Sequence, residues 1–380
     1  MSAPLALYVH WPFCRARCPY WDFNVHVRPT VDHARWRDAL RAAIDHYAYE
    51  LPDRSLGTLF FGGGTPSLMA PETVAAIVEH ARKVWPGGDD VEISLEANPS
   101  DHGHFADFAD AGVTRLSLGV QALDDASLKT LGRDHDRAGA IAAIETAHRH
   151  FTNVSFDLIY ARPKQSETAW RRELADALAL AGGHLSLYQL TIEPHTGFAT
   201  ALRQGLLDLP EDVASLYEAA RALCEAAGFA HYEISNFARP GFESRHNLVY
   251  WRYGDYVGIG PGAHGRFRTG DGARVATVEE RAPERWLAAV EADGHAIAER
   301  TKLSADERLT ESLLMGLRLA EGVARERFRA ETGGDFESKL NAANLSGLVD
   351  ANLLTLDEKS LRATKDGRQR LDAVLARLLG

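Results

Sequence analysis

"LALYVHWPFCRARCPYWDFN", residues 5 to 24, decides how the rest of the chain is read. Its first seven residues form an apolar, β-like run. A loop follows at once, carrying Cys14 and Cys18 in a C-x3-C spacing. A tight turn after a strand can wrap a small iron–sulfur cluster, and a C-x3-C-x2-C pattern would place a third thiolate at position 21. That position holds Trp21. Two cysteines alone are more often buried structure than a metal site, so the meaning of the loop rests on its surroundings.

Beyond the loop, β-like runs alternate with amphipathic stretches over the first ~260 residues. "DHARWRDALRAAIDHYAYEL" (32–51) predicts a helix and "GTLFFGGG" (57–64) a strand. "PETVAAIVEHARKVW" (71–85) is helical, "VEISLEANP" (91–99) and "VTRLSLGVQ" (113–121) are strands, and 137–150 is helical. "NVSFDLIY" (153–160) and "HLSLYQLTIEP" (184–194) are strands flanking a helix at 168–181. This rhythm implies parallel strands joined by right-handed crossovers. Six units with no dinucleotide fingerprint after the first strand predict an α/β fold, a partial or full TIM-type (β/α) barrel. Chemistry in such barrels gathers at the C-terminal strand ends. "FCRARC", "GGGTP", "EANP", "GVQ" and "TIEP" all fall there, with "FDLIY" on the fifth strand.

The texture changes after residue 300. Helices over 304–323, 324–333 and 336–349, a β-hairpin over 353–367 and a last helix over 367–379 resemble a small winged-helix-like α+β domain. The expected division is a barrel core over 1–240, a glycine-rich connecting segment over 241–300 and the C-terminal domain over 301–380.

With 380 residues, 42 Lys and Arg against 53 Asp and Glu, the net charge is −11. That balance, and a third helix of the C-terminal module with one Lys and no Arg, argue against nucleic acid as a partner. The N-terminal stretch lacks signal-peptide architecture, no apolar run approaches ~18 residues, and three cysteines give no disulfide framework. The expected location is the cytoplasm. Peripheral membrane contact and a homodimer remain open.

Four constellations carry the chemistry. In "FFGGGTPSL" (60–68) three glycines at a strand end allow close backbone approach and leave amide N–H groups for a small ligand. Glu96 and Asp157 are acids inside strand-like runs, where a carboxylate is costly unless it is paired or binds something. Gln121 and Arg133 add an amide and a guanidinium. Singly each is an ordinary capping or ion-pair residue; together on one face they suit a zwitterionic ligand with a ribose and a carboxylate. "RHNLVYWRYGDYVGIGPGAHG" (245–265) gathers His246, Asn247, Tyr250, Trp251, Tyr253, Tyr256 and His264 among glycines, a setting in which a histidine ligates iron or stacks on a macrocycle as readily as it serves structure.

These pieces occur in an order that resembles the radical SAM superfamily, and within it the oxygen-independent coproporphyrinogen oxidase-like proteins, on their heme-chaperone branch. "YVHWPFCRARCPY", "FGGGTPS", "RLSLGVQ", "LGRDH", "FDLIY", "YQLTIEP", "YEISNFARPG" and "HNLVYW" carry the resemblance over most of the chain. It implies S-adenosylmethionine (SAM) on a [4Fe–4S] cluster, with Tyr8 against the SAM–cluster site and Tyr20 on the adenine. Gly62, Gly63, Gly64 and Thr65 would line the methionine amino end, and Glu96, Gln121, Arg133 and Asp157 the rest of SAM. His246 would ligate heme, with Asn247 and Tyr250 completing that motif, and heme-acceptor proteins would be the partners. The oxidase itself is the rival; it would carry a further cysteine where Asp22 and Phe23 stand, and a longer N-terminal arm. A non-catalytic scaffold is the third reading.

Trp21 departs from the pattern of both branches. An indole supplies neither charge nor a soft ligand, so a cluster held by Cys14 and Cys18 alone should be labile or absent and radical chemistry impaired. Cys224, in the helical run "EAARALCEAAGF", is expected in the outer layer, far from the loop; Asp22 and His26 are not favoured by spacing. Trp21 is either a lesion in an otherwise intact site or the mark of a specialised relative. A lesser departure is "YARPKQS" (160–166), with Ala161 and Lys164 where the resemblance implies glycine-rich turn residues.

Overall fold

Side chains alternate across each parallel strand, and this alternation sets the architecture. The computed structural model describes residues 4–21 and 24–380. Six strands, β1 (Leu5–Trp11), β2 (Leu56–Gly63), β3 (Glu92–Ala97), β4 (Arg115–Gln121), β5 (Asn153–Tyr160) and β6 (His184–Gln189), pair in sequence order, all parallel. One face of these strands is apolar: Leu7, Val9, Leu59, Phe61, Ile93, Leu95, Leu116, Phe156 and Leu185 are buried in a single core under the helices. Each such side chain contributes roughly 1.5–3 kcal/mol over an exposed one. The opposite face carries Ser94, Ser117, Ser155 and Ser186 with Glu96, Asp157 and His184, and it lines an internal cavity. The hydrophobic core is therefore the outer layer of the barrel, and the lumen is polar.

Unshuffled strand order excludes a doubly wound sheet, which reverses order at a switch point. The crossover helices His33–Glu50, Pro71–Val84, Arg137–His150 and Glu167–Leu180 lie on the apolar side. The side chains of Asp32, Asp136 and Ser166 accept backbone N–H groups in the first turns of three of them, the ordinary way a helix start satisfies its free donors.

Six further strands extend the sheet: β7 (Ala230–Glu233), β8 (Asn236–Ala238), β9 (Tyr256–Ile259), β10 (His264–Arg268), β11 (Arg274–Glu279) and β12 (Ile297–Lys302). The order is 12–11–10–9–1–2–3–4–5–6–8–7. β9 runs parallel to β1, with Ala6 opposite Tyr256, whereas β7, β8 and β10–β12 join antiparallel. β12 and β7 end the sheet, so the barrel is partial. Because β9 lies beside β1, the expected boundary at residue 240 falls within the sheet. The predicted strand ends also contract: 91–99 becomes β3 and 184–194 becomes β6, since "NP" and "TIEP" leave the ladder as loops.

Residues beyond 303 build a second core around Leu313, Leu317, Phe328, Phe336, Leu348, Leu361 and Leu375. The helix expected over 304–323 stops at Gly316; a Cβ there would meet the Val323 side chain at 2.5 Å. Helices Arg325–Thr332, Phe336–Lys339 and Ala342–Asp350 follow. Leu354–Leu356 and Ser360–Ala363 form the hairpin, and Val323–Ala324 adds a third short strand to it. Buried charges join this unit to the barrel. Arg274, about 1% exposed, lies 3.1 Å from Asp255 and 3.3 Å from Glu331, and Arg318 pairs with the fully buried Glu233. No described helix is long and apolar enough to cross a membrane.

Candidate functional site

At the C-terminal ends of the parallel strands lies a cavity of about 430 Å3. Cys14, Cys18, Tyr20 and Trp21 line it from the loop after β1; Gly63, Gly64 and Thr65 from the end of β2; Glu96 from β3; Gln121 and Arg133 from β4 and beyond; Asp157 from β5. Tyr8 and Gly62 do not line it. Tyr8 faces two other cavities and its hydroxyl pairs with His10 Nδ1 at 3.0 Å. Gly62 makes room for rings, since a Cβ there would lie 2.8 Å from Tyr8 and 2.9 Å from Phe60.

Gly63, Gly64 and Thr65 line the cavity, and the glycine run also packs the cysteine loop. Gly63, at φ 110°, donates its N–H to Glu96 Oε2 at 3.2 Å, and the Gly64 and Thr65 N–H groups bond the carbonyls of Trp11 and Phe13. A Cβ on Gly64 would lie 2.9 Å from Cys14 Sγ and 2.7 Å from the Phe13 carbonyl. The run is bare so that the cysteine loop can fold against the end of β2, and its amides are spent within the protein.

Two carboxyl groups sit together inside the lumen. Burial, then the Asp157 charge, pushes Glu96 up to about 8, opposed by the Gly63 N–H. Burial pushes Asp157 up to about 7, with the Ser186 hydroxyl and Arg133 acting against it. Arg133 donates to the Gly119 carbonyl at 2.9 Å and reaches Cys18 Sγ at 3.6 Å. Its Nε, and Oε1 of Gln121, are buried without a partner in the protein. Gln121 is also held at φ 70°, a left-handed conformation that L side chains rarely adopt and that clusters at ligand sites. An orphaned donor, an orphaned acceptor and two acids that titrate near neutrality fit a small zwitterionic ligand such as SAM.

The metal set does not fit. Cys14 accepts a hydrogen bond from Thr65 Oγ1 at 3.4 Å, and burial raises its thiol above the ordinary value. Trp21 leans on Tyr20, ring centroids 5.9 Å apart, beside an apolar cluster containing Phe198 and Leu131. It stands where the third donor would be. Among the described residues no three His, Cys, Asp or Glu side chains converge as a metal-binding group. Cys224 is fully buried in the outer helix Val213–Ala226, its thiol pushed up to about 12 by burial, and it lies in the core rather than at the loop. His26 lies 3.4 Å from the Asn24 amide oxygen and does not line the cavity; Asp22 lies outside the described residues. A [4Fe–4S] cluster needing three thiolates is not provided for.

His246, the expected heme ligand, is fully buried on the helix Arg245–Trp251. Its Nδ1 lies 2.8 Å from Thr58 Oγ1, its Nε2 2.7 Å from the Tyr250 hydroxyl, and its ring stacks on Phe60. Burial lowers it to about 3. With Asn247 and Tyr250 it closes the lower lumen, a space of about 220 Å3. Both ring nitrogens are therefore engaged within the protein.

Reading the sequence missed the lumen itself. Ser94–Leu95, Ser117–Leu118, Ser155–Phe156 and Ser186–Leu187 recur on four consecutive strands, a polar–apolar pair that marks the inward position on each. Arg15, Asn98 and Asp134, which line the upper cavity, were also missed. Arg15 pairs with Asp101, and Asn98 donates to Asp134 at 3.1 Å.

Comparison with known proteins bears on this geometry. The "Radical SAM superfamily" family matches residues 8–178 and the "HemN C-terminal domain" family residues 303–370. The bovine "Radical S-adenosyl methionine domain-containing protein 1, mitochondrial" is 40% identical over 393 residues, covering 100% of this chain and 88% of that protein. The heme chaperone HemW of Escherichia coli K12 is 36% identical over 334 residues, covering 87% and 86%. HemW of Mycobacterium tuberculosis H37Rv is 37% identical over 385 residues, covering 99% and 95%. Among solved structures, the coproporphyrinogen III oxidase HemN of Escherichia coli superposes with a TM-score of 0.82 over 98% of this chain and 89% of that one. At 24% identity that likeness is one of fold.

Proposed function

Since the chain belongs to the radical SAM superfamily, in the HemN-like group that includes HemW, we propose that it is a heme-binding chaperone on a SAM-binding barrel with an incomplete cluster loop. The observation that carries the reading is its similarity to heme chaperones along almost its whole length, joined to the loss of the third thiolate at Trp21. A protein that binds and passes on heme can dispense with radical cleavage, whereas the rival reading, radical oxidation of a porphyrinogen, needs the cluster that two thiols do not hold.

In this reading SAM lies in the upper cavity. Glu96 and Asp157 ionise against its amino and ribose groups, Arg133 faces its carboxylate, and Gln121 Oε1 gains the partner it lacks within the protein. Superfamily chemistry would supply a reducible cluster there; this chain supplies the pocket and two thiols. Acceptor proteins for the heme are the expected partners, and three unpaired cysteines suit a reducing compartment.

The test is titration of the purified full chain with hemin, read by Soret absorbance, followed by mixing with an apo-acceptor. Saturable binding and transfer are expected without iron–sulfide reconstitution. Absence of any heme binding rejects the reading.

A further inference from the structure

On the flank of the barrel, apart from the SAM cavity, lies an aromatic chamber of about 380 Å3. Its walls are Tyr8, Tyr250, Trp251, Tyr256 and Met315, and Tyr250 meets Tyr256 edge-on at 4.5 Å. The hairpin between β9 and β10 forms its lip. Gly258 and Gly260 permit this, since a Cβ on either would strike the backbone of His264 or His10 at 2.1 or 2.3 Å. The hairpin delivers His264, the first residue of β10, to the mouth of the chamber.

Three histidines compete for the role of iron ligand here. His246 holds Thr58 and Tyr250 with its two nitrogens and has no exposed surface. His10 holds the Tyr8 hydroxyl at 3.0 Å and the Asn24 carbonyl at 3.1 Å and is almost as deeply buried. His264 is exposed and makes none of these commitments. Arg266 also lines the chamber and pairs with Glu311 at 3.2 Å, which neutralises the carboxylate in the wall.

We propose that the aromatic chamber is the heme site, with His264 as the iron ligand, the macrocycle against Tyr250, Tyr256 and Met315, and the propionates at the mouth beside Arg266. The proposal rests on the heme-chaperone reading and gives it a location. His246 is then a positioning residue: its bond to the Tyr250 hydroxyl fixes a wall of the chamber, so the HNLVY motif acts on heme without touching iron.

The experiment compares hemin binding and absorption spectra of the full-length protein, His264→Ala and His246→Gln. Loss of an inner-sphere ligand exceeds the effect of an outer-shell partner, so His264→Ala should weaken binding at least about tenfold. It should also shift the Soret and visible bands, and added imidazole should restore them. His246→Gln should weaken binding less and leave the band positions of the bound heme unchanged. Wild-type bands retained in His264→Ala but lost in His246→Gln would move the iron to His246 and overturn the proposal while sparing the chaperone reading. A wild-type protein that binds no hemin overturns both.

Discussion

Around the mouth of the barrel, most of the residues that the motifs nominate converge on one cavity, yet the donor set is short by one thiolate. Beside the flanking chamber the motif points to a histidine that is fully committed inside the protein, while an uncommitted imidazole stands at the chamber entrance. Both regions show that motif order fixes where a side chain sits more firmly than what its atoms are free to do. Cys14 and Cys18 are in place, but chemistry depends on position 21. His246 is in place, but its lone pairs are occupied.

The contrast can be broken most sharply at Trp21. Anaerobic iron–sulfide reconstitution of Trp21→Cys should raise cluster affinity, read as iron and EPR signal retained through desalting, by more than the ~10–100-fold that outer-shell partners control at metal sites. Equal iron in both proteins would mean that another donor completes the set and that the two regions differ less than the geometry says.

A smaller effect is expected at Arg274, which holds the floor of the aromatic chamber to the C-terminal unit and stacks 3.9 Å over Tyr253. Arg274→Ala should cost about 3 kcal/mol in denaturant unfolding, the lower end for breaking a buried ion pair. Arg54 and Arg268 still face the stranded carboxylates of Asp255 and Glu331. A loss within experimental error would show that the chamber does not depend on this network.

The mildest separation is in pH. In the folded protein Glu96 keeps its proton up to about 8, whereas its ordinary value is 4.5. Between those values the folded state binds more protons than the unfolded chain, so this stabilisation is complete below 4.5 and fades as pH rises through about 8. Glu96→Gln should flatten the decline of Tm across that window, leaving the smaller contribution of Asp157. An unchanged slope would mean that Glu96 is already ionised and paired.

The parallel half of the barrel was legible because apolar–polar alternation and helix caps act locally: β1 and β5 and the helix Arg137–His150 fall where the pattern predicts them. The antiparallel extension was not. "HGRFR" and "IAERTK" are rich in charge, and their strand character comes from partners far along the chain. Nor could spacing reveal that the glycine run serves the cysteine loop, or that His246 spends both nitrogens, because both depend on contacts made only after folding. The turn at 160–166 was partly legible. Glycine was expected at Ala161 and Lys164, and both residues sit at positive φ, 58° and 62°, where an L residue is strained by roughly 1–2 kcal/mol.

The parallel pairing of β1 with β9 has a consequence for how the chain comes to be folded. Ala6 meets Tyr256 across 250 residues. During synthesis β1 can dock on β2 early, but its other edge stays unpaired until β9 has left the ribosome. Unpaired edges and large closing loops slow folding and invite association. A nascent chain halted before β9 should therefore engage cellular holdases through β1, and release from them should coincide with the appearance of the glycine-rich hairpin.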